Sequence, residues 1–235
     1  VVYFFRKNDS LLHFVKPVFD RRVFLKTCTN GSSELMTNLS MSLVNALYNL
    51  QLMKIAGENG VAAYGAVMYV NFIFVATFLG YAIGCAPVIS YHYGAGNHAE
   101  LKNLYKKSMS IILVWGVILF GAAQLLAPVL SKIFVGYNTG LYAMTLHGFR
   151  VYAIAFLIIG INIFGSSFFT ALNNGLISAV ISFLRTLVFQ VIMVLTLPLW
   201  FGINGIWSAI SIAEALTLIM TTTFFVRQKD KYHYL

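Results

Sequence analysis

Between Glu34 and Arg227 the chain falls into long runs free of Asp, Glu, Lys and Arg: 35 to 53, 59 to 99, 108 to 131, 151 to 184, 186 to 213 and 215 to 226. A helix needs about 20 predominantly apolar residues to cross a hydrocarbon core, and runs of that order recur along the sequence. Charged residues are 10% of the 235-residue chain, whereas soluble domains carry roughly 25%. Sixteen basic and seven acidic residues are too few to coat a water-soluble globule of this size, so the chain belongs in a bilayer. Its formal charge of +9 does not point to nucleic acid, because the basic residues are separated by uncharged runs instead of gathered on one face.

Glycine- and asparagine-rich punctuation divides the runs. Gly57 to Gly60, Tyr93 to Asn97, Ser131 to Gly140, Leu172 to Gly175 and Phe201 to Gly205 are the turn signals. They predict six helices near 31–54, 60–91, 103–130, 142–170, 176–199 and 204–226, an all-α polytopic membrane lobe. Membrane strands are about ten residues long and alternate strictly, and no stretch here alternates for long. Twelve of the 16 basic residues fall before the first helix, between the second and third, or after the sixth, whereas Lys54 and Lys132 fall on the other side. Basic residues are retained in the cytoplasm, so the amino end, the second loop and the tail are expected there.

Polar residues inside a span cost free energy unless they face protein or a wet cavity. At 100° per residue, Glu34, Asn38, Ser42, Asn45 and Asn49 share an arc of about 80° on the first helix. That stripe either glues helices together or lines a solute pathway, and Glu34 also suits a helix N-terminus after Asn30-Gly-Ser-Ser33. Asn71 is a mid-span candidate on the second helix. Gly84 and Pro87 predict a bend on that helix, as a hinge or a fixed kink. Arg185 and Glu214 lie at similar depth on antiparallel neighbours and are expected to pair, with a coupling role for Glu214 as the alternative.

Catalysis has no visible machinery. His92, His98 and His147 share no ligand spacing, the serines lack His and Asp partners, and Gly94-Ala-Gly96 lacks the Lys-Ser/Thr of a phosphate loop. The chain therefore reads as a non-enzyme without metal or cofactor. Cys28 and Cys85 read as buried thiols. The stretch up to Lys26 lacks the apolar core and cleavage site of a signal peptide, so the start looks like a cut or incomplete chain.

Three segments carry a family resemblance: Asn30-Gly-Ser-Ser-Glu-Leu-Met-Thr-Asn-Leu-Ser40, Gly57-Glu-Asn-Gly-Val-Ala-Ala-Tyr64 and Gly80-Tyr-Ala-Ile-Gly-Cys-Ala-Pro-Val-Ile-Ser-Tyr-His-Tyr-Gly-Ala-Gly-Asn97. With Thr170-Ala-Leu-Asn-Asn-Gly175 and Ser182-Phe-Leu-Arg185, they resemble the multidrug and toxic compound extrusion (MATE) family in its MepA-like branch. The likeness covers the second half of a twelve-helix member. It implies residues 1–28 as a cytoplasmic inter-lobe linker, 29–226 as the C-terminal six-helix lobe and 227–235 as a cytoplasmic tail, with an N-terminal lobe of the same transporter as partner.

The function so implied is export of cationic, amphipathic drug-like compounds across the plasma membrane of a bacterium, by alternating access and in exchange for Na⁺ or H⁺. The family's tenth-helix acid corresponds to Asn162, which cannot titrate, so coupling acids are implied in the first lobe. Expected cavity residues are Glu34, Asn38, Asn45, Tyr48, Asn49, Tyr69, Asn71 and Asn162; aromatic faces and amides suit a flat lipophilic cation. The rivals are a lipid-linked saccharide flippase of the same superfamily, and an intramembrane assembly subunit whose polar stripe binds a partner helix.

Overall fold

A computed structural model describes residues 19–234, with Val23 and residues 26–37 described by their backbone alone. Every regular element among them is helical: α1 (Arg21–Gly94), α2 (His98–Val135), α3 (Thr139–Ala153), α4 (Phe156–Ala171), α5 (Gly175–Phe183), a π-helical turn (Leu184–Phe189), α6 (Gln190–Phe201) and α7 (Ile203–Tyr232).

At 74 residues α1 would measure about 110 Å if straight, more than three times the ~30 Å hydrocarbon core. It breaks at Gly57, whose φ of 62° and ψ of −153° lie in a region open essentially to glycine alone. The chain turns back there. Tyr64 stacks on Tyr48 with ring centroids 5.1 Å apart, and its hydroxyl donates to Asn45 Oδ1 at 2.9 Å. The first two crossings are thus the arms of one helical hairpin, with a break shorter than the turn the sequence predicts between 54 and 60.

The third crossing is α2, at 38 residues, and the sixth is α7, at 30. Residues Gly175–Phe201 form a continuous 27-residue fifth crossing in which the π turn sits between α5 and α6. The fourth crossing, predicted as one helix over 142–170, is instead two helices meeting at 47°. The cause is a side chain inserted into the backbone ladder. Gln124 Nε2 donates to Arg150 O at 3.0 Å, and the Ile154 amide turns to Val151 O at 3.3 Å. No proline is involved, which is why the sequence gives no sign of it.

Asparagine closes three of the loops. Asn97 accepts from the Glu100 amide, Asn138 from those of Gly140 and Leu141, and Asn174 from that of Ile177. Each satisfies an amide that the first turn of a helix leaves open. Another interhelical tie follows from proline: Pro198 has no N–H to give Val194 O, and Gln51 Nε2 approaches that carbonyl at 3.4 Å. The backbone keeps helical dihedrals through Gly84 and Pro87; the one non-helical residue within α1 is Gly57. Cys85 is half-buried, not buried.

The lobe is organised around α4, which is buried on all sides: Phe156, Ile159, Ile163, Phe164, Phe168 and Phe169 are each at most 5% exposed. Gly148 lets α7 close onto α3, since a Cβ there would stand 2.6 Å from the Trp207 ring. Residues 227–232 continue α7 as helix, and His233 turns the chain left-handed at φ 55°. Tyr234 then folds back into a ring cluster with Tyr105, Phe168 and Phe225, and its hydroxyl donates to Phe225 O at 2.9 Å.

Candidate functional site

The arms of α1 enclose a cleft of about 360 Å³, walled on its remaining sides by α3, α4, the π turn, α6 and α7. From the first arm come Asn38, Met41, Val44, Asn45 and Tyr48, and from the second Tyr64, Met68, Asn71, Phe72, Val75 and Leu79. Both sets step by three and four residues, which is the spacing of one helix face. The π turn and the helix after it add Arg185, Thr186 and Gln190; α3, α4 and α7 add Tyr152, Ile159, Ile163, Ile210 and Glu214.

Arg185 and Glu214 meet at the wall of this cleft. Arg185 Nε donates to Glu214 Oε1 at 2.8 Å and to Oε2 at 3.1 Å. Asn162 Nδ2 donates to the same Oε2 at 2.7 Å and to the Glu214 carbonyl at 2.9 Å. The Glu214 side chain is 1% exposed and that of Arg185 17%. A carboxylate this deep persists in charged form only with such partners. The pair contributes no net charge, so the described part of the lining is neutral.

The structure divides the expected site residues. Asn38, Asn45, Tyr48, Asn71, Arg185 and Glu214 line the cleft together. Asn162 is fully buried behind Glu214 and holds it, with no face on the cavity. Asn49 lies one helical step past the lining face and spends its amide on Asn45 O at 2.8 Å. Tyr69, likewise one step past Met68, is 67% exposed and stacks on Phe134. Glu34 belongs to α1, but its side chain lies outside the described residues. Gly84 and Pro87 are exposed and away from the cleft.

Sequence reasoning did not single out Tyr64, Tyr152, Thr186 and Gln190. Tyr64 was in reach, because Gly57 predicts a reversal that returns the second arm to the first. The π turn, which brings the adjacent Arg185 and Thr186 to one wall, left no trace in the sequence; such turns gather at functional sites.

Two polar atoms on the lining have no hydrogen-bond partner although they are buried: Tyr48 Oη and Asn71 Oδ1. Buried groups of this kind are normally satisfied by protein, water or ligand. No group of His, Cys, Asp and Glu among the described residues could hold a metal ion.

A protein-family model named MatE matches residues 35–196, more than half of the chain, including both arms of the hairpin and the π turn. The chain belongs to the MatE family. Solved structures place the MatE lobe in its fold. An outward-facing multidrug resistance MATE transporter of the MOP superfamily superposes with a TM-score of 0.84 at 20% identity, over 96% of this chain and 51% of that one. An inward-facing structure of a multidrug resistance MATE transporter of that superfamily gives 0.79 at 20% identity, over 97% and 54%. A MOP superfamily transporter from Pyrococcus furiosus gives 0.83 at 20% identity, over 96% and 51%. The chain thus spans about half the length of the solved transporters it matches. Comparison with curated proteins gives no match. The MatE membership and the apolar crossings make this a multi-pass membrane protein of a transporter family.

Proposed function

We propose that this chain is the C-terminal-type lobe of a plasma-membrane efflux antiporter that exports cationic amphipathic compounds in exchange for Na⁺ or H⁺. Its partner is a second six-helix lobe, its amino and carboxyl ends face the cytoplasm, and the two lobes rock about a central site. One observation carries the reading: the cleft combines aromatic rings (Tyr48, Tyr64, Tyr152), amides (Asn38, Asn45, Asn71, Gln190) and apolar walls, with no net charge among its described residues. Rings and amides can hold a flat lipophilic cation from several directions without strict geometry, which suits broad specificity. A flippase for anionic headgroups would need several cations on the lining. Arg185 is the one cation among the described lining residues, and Glu214 neutralises it.

The test is ethidium transport by the intact transporter in proteoliposomes, with an imposed Na⁺ or H⁺ gradient. Uptake against the gradient of the dye with one of the two ions is expected, falling at least severalfold in Asn45→Leu and Asn71→Leu at equal incorporation. Absence of transport with either ion refutes the antiport reading, and unchanged rates in both variants refute the cleft as its route.

A further inference from the structure

The Arg185–Glu214 pair is lopsided. Glu214 accepts from Arg185 and Asn162 and is 1% exposed, so its carboxylate is saturated and sealed from the cleft. Arg185 is 17% exposed and makes both of its hydrogen bonds through Nε, which leaves Nη1 and Nη2 without a partner among the described residues. A guanidinium carries five N–H donors in a planar fork, and the terminal edge suits an oxyanion with two parallel bonds. The charged atoms of the pair that a ligand can reach are therefore the positive ones.

A second observation points the same way. Tyr48 is 2% exposed and lines the cleft, yet its hydroxyl has no partner. Its ring is fixed by the stack on Tyr64, so the hydroxyl cannot swing out to bulk water. Tyr152 stands within electrostatic reach of Tyr48, Glu214 and Arg185 alike, which gathers the hydroxyl and the guanidinium about one part of the cleft. Asn71, also on the lining, has its Oδ1 unpaired; which end of its amide faces inward is set by what binds.

We propose that the cleft contains an oxyanion subsite, in which the Nη edge of Arg185 and the hydroxyl of Tyr48 take a carboxylate carried by the transported compound. The substrates are then zwitterionic aromatic amphiphiles instead of simple cations. The ring system lies against Met68, Phe72 and Val75, and the carboxylate meets the two donors. This rests on the transport reading above and narrows its substrate class. The neutral lining fits it, because a zwitterion adds no net charge to a low-dielectric site.

Rhodamine 110 and rhodamine 123 form a matched pair of probes, since the second is the methyl ester of the first and differs in lacking the free carboxylate. Their binding to the intact transporter in nanodiscs of neutral lipid is read by fluorescence anisotropy. The wild type is expected to hold rhodamine 110 about tenfold more tightly than rhodamine 123, the scale of a charge-assisted hydrogen-bond pair. In Arg185→Gln/Glu214→Gln, which strands no buried charge, the ratio falls to about one. In Tyr48→Phe, which keeps the ring stack, it falls about threefold, and this variant decides the matter if the double one does not fold.

A wild-type ratio at or below one overturns the subsite while leaving transport standing; binding of neither dye overturns both. A ratio retained in Tyr48→Phe and in the folded double variant also overturns it. The measurement is repeated with phosphatidylglycerol in the nanodiscs. An unchanged ratio supports a substrate carboxylate, whereas a ratio erased by that lipid assigns the donors to a lipid phosphate and overturns the substrate proposal.

Discussion

Replacing Arg185 by Leu is expected to cost more than replacing both members of its ion pair. Glu214 is held by Arg185 Nε at 2.8 and 3.1 Å and by Asn162 Nδ2 at 2.7 Å, in a position 1% exposed. Without Arg185 the carboxylate keeps only the amide, and stranding a buried charge in this way costs about 3–5 kcal/mol. Glu214→Leu strands Arg185 instead. That residue is 17% exposed to the cleft, and Asn162 still has the Glu214 backbone carbonyl, so a smaller loss of about 2 kcal/mol is expected. The double change removes both desolvation penalties and leaves apolar side chains of similar reach, for a net loss of about 1 kcal/mol. The expected coupling is at least 2–3 kcal/mol, the upper end for contacting residues. The assay is equilibrium unfolding of the four proteins in mixed micelles by titration with a denaturing detergent. Single losses that add within about 0.5 kcal/mol would refute the pairing energetics, and a larger loss for Glu214→Leu than for Arg185→Leu would refute the asymmetry of burial.

Two further changes probe the hairpin and the carboxyl end. Gly57→Ala meets no neighbour within 4 Å but must hold φ 62°, so a backbone cost of about 1–3 kcal/mol is expected; Gly65→Ala, equally unobstructed on a helix, is expected to be neutral or stabilising by up to about 1 kcal/mol, and equal melting temperatures would sink the argument. Burial pushes the Tyr234 phenol above its usual range, with Tyr105 and Tyr232 adding to the effect. Because the folded state raises this pKa, the stabilisation is complete below about pH 10 and is lost as pH climbs through the alkaline range. Tyr234→Phe should lower stability at pH 7 by about 1 kcal/mol, through loss of the bond to Phe225 O, and make the alkaline decline shallower. A decline of unchanged steepness would show that the phenol does not contribute.

The six crossings were legible because the requirement is one-dimensional: uncharged length against bilayer thickness, punctuated by Gly57, Gly96, Asn173 and Gly202, each at positive φ. The proximity of Arg185 and Glu214 followed from depth along antiparallel neighbours for the same reason. What helical pitch decides was legible only in part. Asn38 and Asn45 reach the cleft, but Asn49 and Tyr69 sit one 100° step beyond its two faces, and no sequence rule fixes which neighbour on a stripe the packed helix turns inward. The bend between α3 and α4 and the π turn were not legible. The bend depends on Gln124 meeting a carbonyl 26 positions along the chain. The π turn is set by packing, not by local propensity.

In lipid an uncharged polar side chain serves either to bind helices or to face a cavity, and the pattern of unsatisfied atoms separates the two uses. Ser166 illustrates the first: its hydroxyl meets Ser178 Oγ at 2.9 Å and Ser182 Oγ at 2.7 Å, and Thr170 Oγ1 meets Ser178 at 2.6 Å, a network that fastens α4 to α5 with no donor left over for a solute. The cleft has the opposite character. Tyr48 Oη, Asn71 Oδ1 and the Nη atoms of Arg185 all lack partners, and all belong to residues that line one volume shared by α1 and the π turn. Asn162 falls between the two uses: its amide nitrogen fixes Glu214 while its Oδ1 stays unpaired. Polar groups that only held helices together would have found one another, as those between α4 and α5 do. That the cleft's have not, within a few ångströms of a saturated carboxylate, is the structural reason for treating this volume as a binding site and not as a packing seam.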